Sequence, residues 1–352
     1  MKFFHKSQDL YGFNDKYENM ELDIKDRKIL AELDLNARAT FNEIGKKAGL
    51  SKETIIYRIK RLEERGIIQR YTTLVNFGKL GHTGFAVFNR FENVDDKLKM
   101  EIVSYLEKIP ELYWIALIGG RFDIVFAVMC KSVFQFNRIY YQILNKYGKY
   151  LADNTIAIRA ELRQNKRNYL MKEEQPTFSP PFFGKEPALE KLDDFDADIL
   201  SLLSNEARIS ISELSGILKK PASTISSRIK EMERKKIIQG YTTYIKVQNY
   251  GMQSYRLLLS LQNMDENSRN KLFAYAYQNP KMILAIETVG EWNFEITLEV
   301  ESHEELQKEI SKLRNKFRTI IKNVEFIIMF EDDLVYDPYP LKKKERKILL
   351  KR

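Results

Sequence analysis

Two segments of this sequence carry basic and hydroxyl side chains at a spacing that suits contact with a nucleic acid. Residues 52–65 hold five bases against three acids. Lys and Arg bind phosphates, and Thr and Tyr hydroxyls reach phosphates or base edges. The candidate DNA-contacting residues of this segment are Lys52, Thr54, Tyr57, Arg58, Lys60 and Arg61.

The apolar spacing places these side chains on one face of a helix. Ile55, Ile59 and Leu62 recur at helical intervals and predict a buried face, with Ser51 capping the helix and Gly66 ending it. Two shorter helical patterns precede it, one following Asp23 and one ending at Gly49. Three short helices predict a helix-turn-helix unit whose third helix enters the major groove of DNA.

The same pattern is written a second time. Leu22-Asp23 recurs as Leu192-Asp193, a shift of 170 positions. The same shift, without a gap, relates Tyr71-Thr72-Thr73 to Tyr241-Thr242-Thr243. The chain is therefore predicted to be a tandem duplication. The second recognition face is smaller, less basic and richer in hydroxyls, so the two units should not prefer the same half-site. Its candidate residues are Ser223, Thr224, Ser227, Arg228 and Lys230.

The apolar pattern that follows each helical unit predicts strand, helix, strand, strand, helix and strand. The predicted fold class is α+β: two copies of a winged helix-turn-helix unit, each followed by a ferredoxin-like βαββαβ domain. The predicted order is an N-terminal extension (1–20), helix-turn-helix domain 1 (21–72), βαββαβ effector-type domain 1 (73–163), a Pro-containing linker (164–190), helix-turn-helix domain 2 (191–242), βαββαβ effector-type domain 2 (243–337) and a basic tail (338–352).

A second interpretation of the charged helix faces stays open. Asp26 and Asp196 repeat together with Arg58 and Arg228, so these arginines could anchor the helical cores through ion pairs instead of contacting DNA. A charged outer face can also be exposed to water without binding any partner.

Composition limits the remaining function classes. The chain of 352 residues has a net charge of +9, and the tail supplies most of it, from Lys342 to Arg352. We expect this tail to add non-specific contacts to DNA, to touch another partner or to be solvated. The single cysteine, Cys130, lies in an apolar run and predicts a buried, inert thiol. Without a membrane-length apolar run, a signal peptide, or metal-ligand spacing, we expect a cytoplasmic protein with no metal and no cofactor.

The helical segment resembles the Lrp/AsnC family of transcriptional regulators. The motifs that carry this resemblance are Asn36-Ala37-Arg38, Gly49-Leu50-Ser51, Arg58-Ile59-Lys60-Arg61-Leu62-Glu63 and Gly66-Ile67-Ile68. The resemblance implies that the helical units bind double-stranded DNA and that the βαββαβ domains pair, with amino acids or related small effectors bound between paired sheets. The family's Gly-x-x-Asp turn implies effector binding by Gly120 and Asp123; the second copy has Asn293 in place of that aspartate.

Duplication and the family architecture leave three functions to distinguish. Two copies in one chain can form an intramolecular pseudo-dimer, or pair with other chains as a homo-oligomer. We expect a sequence-specific transcriptional regulator and not an enzyme. The alternatives are a sirohaem-decarboxylase-like tetrapyrrole enzyme of the same architecture, for which His5, His82 and His303 offer few histidines, and an effector-binding scaffold without DNA binding.

Overall fold

The computed structural model describes residues 21–171, 180–184 and 188–340. The predicted extension 1–20 and the bases of the predicted tail lie outside the described residues. The first copy consists of α1 (Ile24–Leu35), α2 (Phe41–Ala48), α3 (Lys52–Glu64), β1 (Ile68–Val75), β2 (Thr83–Phe91), α4 (Asp96–Glu107), β3 (Leu112–Gly119), β4 (Ile124–Cys130), α5 (Val133–Tyr147) and β5 (Leu151–Gln164).

The second copy repeats this order after a short strand, β6 (Phe182–Gly184). Its elements are α6 (Asp194–Asn205), α7 (Ile211–Leu218), α8 (Ala222–Arg234), β7 (Ile238–Ile245), β8 (Gln253–Leu261), α9 (Glu266–Gln278), β9 (Met282–Val289), β10 (Phe294–Val300), α10 (His303–Lys316) and β11 (Ile321–Tyr336). The predicted fold class and duplication are confirmed.

Local caps explain where the helices of the first unit begin and end. The Asp23 carboxylate accepts the backbone N–H of Asp26 at 2.7 Å, and Thr40 and Glu43 form a reciprocal capping box at the start of α2. Helix α2 ends at Gly49, whose φ of 65° is the left-handed conformation that glycine adopts without strain. In the second copy, Lys219 takes this position with a φ of 52°.

The two βαββαβ domains join edge to edge into one closed barrel. Within the copies the strand orders are β5-β2-β4-β3 and β11-β8-β10-β9. Antiparallel pairing of β3 with β11 and of β5 with β9 closes eight strands into a ring, and β6 pairs with β5 beside it. Helices α4 and α5 cover one half of the barrel and α9 and α10 the other, each over an apolar core. A third core fills the barrel interior. The two βαββαβ domains thus pair with each other within the chain, and association of whole chains as a homo-oligomer stays a prediction.

Three features of the predicted domain layout differ from the structure. The divisions after residues 72 and 242 cut through β1 and β7, because each strand continues to position 75 or 245 and belongs to the helical units. The linker predicted from 164 to 190 is not a spacer along its whole length. Asn165 is buried in the second copy, where its side-chain amide donates to the backbone oxygens of Ala276 and Met282 at 3.0 and 2.8 Å.

Candidate nucleic-acid interface

Helix α3 presents two different faces because its apolar residues face the core. Ile55, Ile59 and Leu62 are buried, as predicted. The helix begins at the Ser51 cap, where the hydroxyl accepts the Thr54 N–H at 3.2 Å. The Thr54 hydroxyl lies 3.0 Å from that of Ser51, so this predicted DNA contact is partly engaged in the cap.

Three of the predicted DNA-contacting side chains are free to reach a ligand. Lys52 is exposed, Tyr57 is 65% exposed, and the Lys60 side chain lies 3.7 Å from Glu64 at an exposed position. An ion pair of this kind is weak and is easily exchanged for a phosphate contact. The outer face of α3 thus offers two ammonium groups around a phenol.

Arg58 and Arg61 turn away from that face. The Arg58 guanidinium contacts Asp23 at 2.7 Å and Asp26 at 2.8 Å, and Arg61 contacts the other oxygen of Asp26 at 2.6 Å. Asp26 is buried, and the hydrogen bond to Asp23 raises the pKa of Arg58 above its ordinary value. The outward direction predicted for Arg61 is therefore wrong, because a buried carboxylate requires a cationic partner. For Arg58, the structure supports the interpretation in which the arginine anchors the helical core through ion pairs.

Helix α8 of the second copy carries a different outer face. Ser223, Thr224, Ser227 and Lys230 are exposed. Arg228 pairs with Asp193 at 2.8 Å and with Asp196 at 3.1 Å, as its counterpart does in the first copy. Burial raises the pKa of Asp196 above its ordinary value.

The counterpart of Arg61 in the second copy is Glu231, which pairs with Arg234 at 2.6 Å. The two helix faces therefore differ in charge as well as in side-chain size.

The two helical units hold each other in a fixed arrangement. Strands β1 and β7 pair antiparallel, so that each unit places its strand against the first helix of the other. The Thr73 hydroxyl donates to the Leu203 oxygen at 2.7 Å, and Thr243 donates to the Leu33 oxygen at 3.1 Å. These reciprocal bonds relate the two recognition helices by an approximate two-fold axis.

Arg38 and Arg208 complete that reciprocal arrangement. Each donates to backbone oxygens of the other unit, Arg38 to Ala207 at 2.5 Å and Arg208 to Ala37 at 2.5 Å. The repeat of Ala37-Arg38 as Ala207-Arg208 is visible in the sequence, but its role depends on the pairing of the units and was not predicted.

An arginine whose side chain is only 10% exposed joins the first helical unit to the second βαββαβ domain. Arg167 contacts Asp34 at the end of α1 at 2.8 Å and Glu299 on β10 at 2.9 Å. Tyr169 donates to the same glutamate at 2.6 Å. These residues lie in or beside the predicted linker and were missed, because nothing in the local sequence indicates which acids they meet.

The hairpin predicted to bind an effector has a turn role in both copies. The Asp123 carboxylate accepts the Phe91 N–H at 2.7 Å, and the Asn293 amide oxygen accepts the Leu261 N–H at 2.8 Å. An aspartate or an asparagine can therefore supply the oxygen that accepts the backbone N–H at this turn. Gly120 has a φ of 114°, which excludes most other residues. Effector binding by Gly120 and Asp123 stays a prediction.

Comparison with known proteins places this geometry in a family. The winged helix-turn-helix DNA-binding family matches residues 22–69 and 192–239. An uncharacterized HTH-type transcriptional regulator of Pyrococcus abyssi is 36% identical over 120 residues, which cover 34% of this chain and 79% of the relative. The chain belongs to the Lrp/AsnC family. A second relative is the proline dehydrogenase transcriptional activator of Rhodobacter capsulatus. It is 30% identical to this Lrp/AsnC chain over 147 residues, which cover 41% of this chain and 95% of the relative.

A solved structure matches the tandem Lrp/AsnC architecture along most of the chain. The siroheme decarboxylase NirDL aligns with a TM-score of 0.58 and covers 93% of this chain and 100% of its own, at 10% identity. At that identity the likeness shows the fold alone.

Within the described ranges, no group of three or more histidine, cysteine or acidic side chains is placed to hold a metal, and no helix is long and apolar enough to cross a membrane. Cys130 is buried as predicted, and burial raises its pKa to about 12.

Proposed function

We propose that this Lrp/AsnC protein is a transcriptional regulator that binds an asymmetric double-stranded DNA site as a single chain. The observation that carries the proposal is the pairing of two unlike recognition helices, α3 and α8, through β1 and β7. In single-copy regulators a two-fold dimer reads a palindrome. Here the two half-sites meet different side chains, so a palindrome is not the best ligand.

The DNA contacts are assigned to the exposed side chains of each helix. On α3, Lys52 and Lys60 bind phosphates and Tyr57 reaches the base edges. On α8, Lys230 binds a phosphate, while Ser223, Thr224 and Ser227 contact phosphates or bases through their hydroxyls. Arg58, Arg61 and Arg228 support the DNA-binding face by holding the helices, and direct contact by them is the weaker alternative.

Fluorescence anisotropy with duplex DNA from upstream of the protein's own gene tests this function. A random duplex is the control, and both are titrated from low to moderate salt. We expect tighter binding to the upstream duplex with a steep salt dependence, because counterions are released from the phosphates. Equal binding to both duplexes at every salt concentration would contradict sequence-specific regulation.

Variants then assign the contacts. Lys60→Ala should weaken binding to all duplexes and reduce the salt slope by about one. Tyr57→Ala and Ser227→Ala should change the preferred base in opposite half-sites. Lys108→Ala, at an exposed position beyond α4, is the matched control and should change neither quantity.

A footprint on the upstream duplex tests the asymmetry. A palindromic duplex is made by replacing one half-site with an inverted copy of the other. Each of the two possible palindromes should bind the protein more weakly than the natural duplex does. Equal affinity for the palindromes would mean that the two helices read DNA alike.

A further inference from the structure

A group of buried polar residues lies inside the barrel, where most neighbours are apolar. We call it the barrel cluster. Its members are Tyr113, Trp114, Arg159, Arg256, Glu295 and Thr297, which are all buried. They come from β3, β5, β8 and β10 and therefore meet only because the two sheets close on each other.

Trp114 stands between the two arginines of the barrel cluster. The guanidinium carbons of Arg159 and Arg256 each lie 4.8 Å from the centroid of its ring. Arg256 is balanced by Glu295 at 3.3 Å, and its Nε donates to the Thr297 hydroxyl at 3.3 Å. The charge of Arg256 thus has its partner within the protein.

Within the part of the chain that the structure describes, Arg159 has no such partner. It is 7% exposed, and its Nη1 donates to the neutral Tyr113 hydroxyl at 2.8 Å. Its Nε and Nη2 are buried and donate to no described residue. A buried guanidinium whose donors are unsatisfied is costly, and the cation–π contact with Trp114 compensates for only part of that cost.

The two unsatisfied donors of Arg159 define the shape of a ligand group. Nε–H and an Nη2–H form one edge of the guanidinium and point in the same direction, the arrangement that accepts both oxygens of a carboxylate. A further polar atom faces the interior from β8, where the buried Ser254 hydroxyl has no described hydrogen-bond partner. The barrel cluster carries two positive charges and one negative charge, so one negative charge from a ligand neutralises it.

The duplication provides an internal comparison for the barrel cluster. The residues at the corresponding positions of the other copy are all apolar. Arg159 corresponds to Met329, and the remaining members, in the order Tyr113, Trp114, Arg256, Glu295 and Thr297, correspond to Ile283, Leu284, Ala86, Val125 and Ala127. Corresponding parts of the barrel wall are thus built once with polar and once with apolar side chains, which favours a role in binding over a role in packing for the polar set.

We propose that the barrel interior binds a small monocarboxylate, whose carboxylate group is held by Nε and Nη2 of Arg159 beside the Trp114 ring. This site is separate from the Gly120–Asp123 hairpin. It rests on the proposed function in one respect: as part of a regulator, the bound carboxylate is its effector. Binding itself requires no DNA.

Intrinsic fluorescence provides a direct test, because Trp114 is one of only two tryptophans in the chain. The full-length protein is titrated with sodium acetate that replaces sodium chloride at constant ionic strength. We expect a saturable change in tryptophan emission and a rise of a few degrees in the melting midpoint, since a ligand stabilises the state that binds it. Pyruvate, glycine and L-leucine are then compared with acetate to rank the remainder of the ligand.

Arg159→Met should abolish both responses. Methionine occupies the corresponding position of the second copy, and the substitution removes an unpaired buried charge, so in chloride the variant should melt no lower than the wild type. Arg90→Met replaces an exposed arginine of the same sheet that pairs with Asp153, and it should respond to acetate like the wild type.

Two results would overturn the proposal. One is the absence of a saturable response to every carboxylate in the panel, or an equal response from Arg159→Met. The other is a melting midpoint of Arg159→Met far below the wild type in chloride, because Arg159 would then be a structural residue. Loss of DNA binding alone would contradict the proposed function and leave this site unaffected, since neither readout involves DNA.

Discussion

At the scale of single residues, the recognition helices separate the arginines that hold the fold from the side chains that face DNA. Asp26 is buried beneath α3 and is shared by Arg58 and Arg61. A buried carboxylate that loses its cations retains the cost of its desolvation. These arginines therefore affect DNA binding mainly through the stability and position of α3.

The double variant Arg58→Ala/Arg61→Ala should destabilise the first helical unit by about 3 kcal/mol, because it leaves Asp26 buried without a charged partner. Urea unfolding followed by circular dichroism measures this change. Lys60→Ala, on the exposed face of the same helix, should shift the unfolding midpoint very little while weakening DNA binding. If the double variant unfolds like Lys60→Ala, the ion pairs are not structural.

The repeat and the helical periods were enough to predict the helices, the strands of the βαββαβ domains and the exposed face of α3 except for Arg61, because caps and apolar spacing act over a few residues. The barrel cluster could not be predicted in this way, since Arg159 and Arg256 meet Trp114 only after two separate sheets close. Comparison of the copies position by position offers a cue: Arg159 replaces methionine and Arg256 replaces alanine within apolar strands. The Arg167 contacts have no cue of this kind.

A lysine in the linker gives the protein a specific pH dependence. Burial lowers the pKa of Lys166 to about 8, although Asp34 and Glu32 favour its charged form. The folded protein therefore releases this proton at lower pH than the unfolded chain, and stability should rise as the pH increases from about 8 toward 10. Lys166→Met should be more stable than the wild type near neutral pH and should lose this rise. Urea midpoints of both proteins across that range provide the test; parallel curves would contradict it.

At the scale of elements, the two copies end their second helix differently. Gly49 and Lys219 occupy the same left-handed position, with φ of 65° and 52°. A side chain in this conformation costs about 1 kcal/mol, which glycine avoids.

Lys219→Gly should therefore stabilise the second helical unit by about 0.5–1 kcal/mol. Glycine loses more conformational freedom on folding than lysine does, and this loss offsets part of the relieved strain. Thermal unfolding should show a higher midpoint. The matched control, Gly49→Ala in the first copy, should lower it, because alanine is strained at that φ. Equal midpoints for the wild type and Lys219→Gly would mean that strain at this residue is relieved elsewhere.

At the scale of the whole molecule, duplication has allowed the two halves to become complementary. Arg121 and Glu291 occupy the same position in the two copies and form a bidentate pair across the barrel, with Nη2 to Oε2 at 3.0 Å. Two identical chains related by a two-fold axis would bring like charges together there. The pair therefore favours internal closure over association of equal halves.

A double-mutant cycle tests this complementarity. Arg121→Ala and Glu291→Ala should each lower the free energy of unfolding, and the coupling between them should be about 0.5–1 kcal/mol, because both side chains are partly exposed and screened by solvent. The hydrogen bond from Arg121 lowers the pKa of Glu291, so the coupling should be present near neutral pH and disappear in acid as the carboxylate protonates. Arg121→Glu should destabilise more than Arg121→Ala, since it places two carboxylates together. A coupling of zero with equal effects of alanine and glutamate at position 121 would mean that the closed barrel alone sets which halves pair.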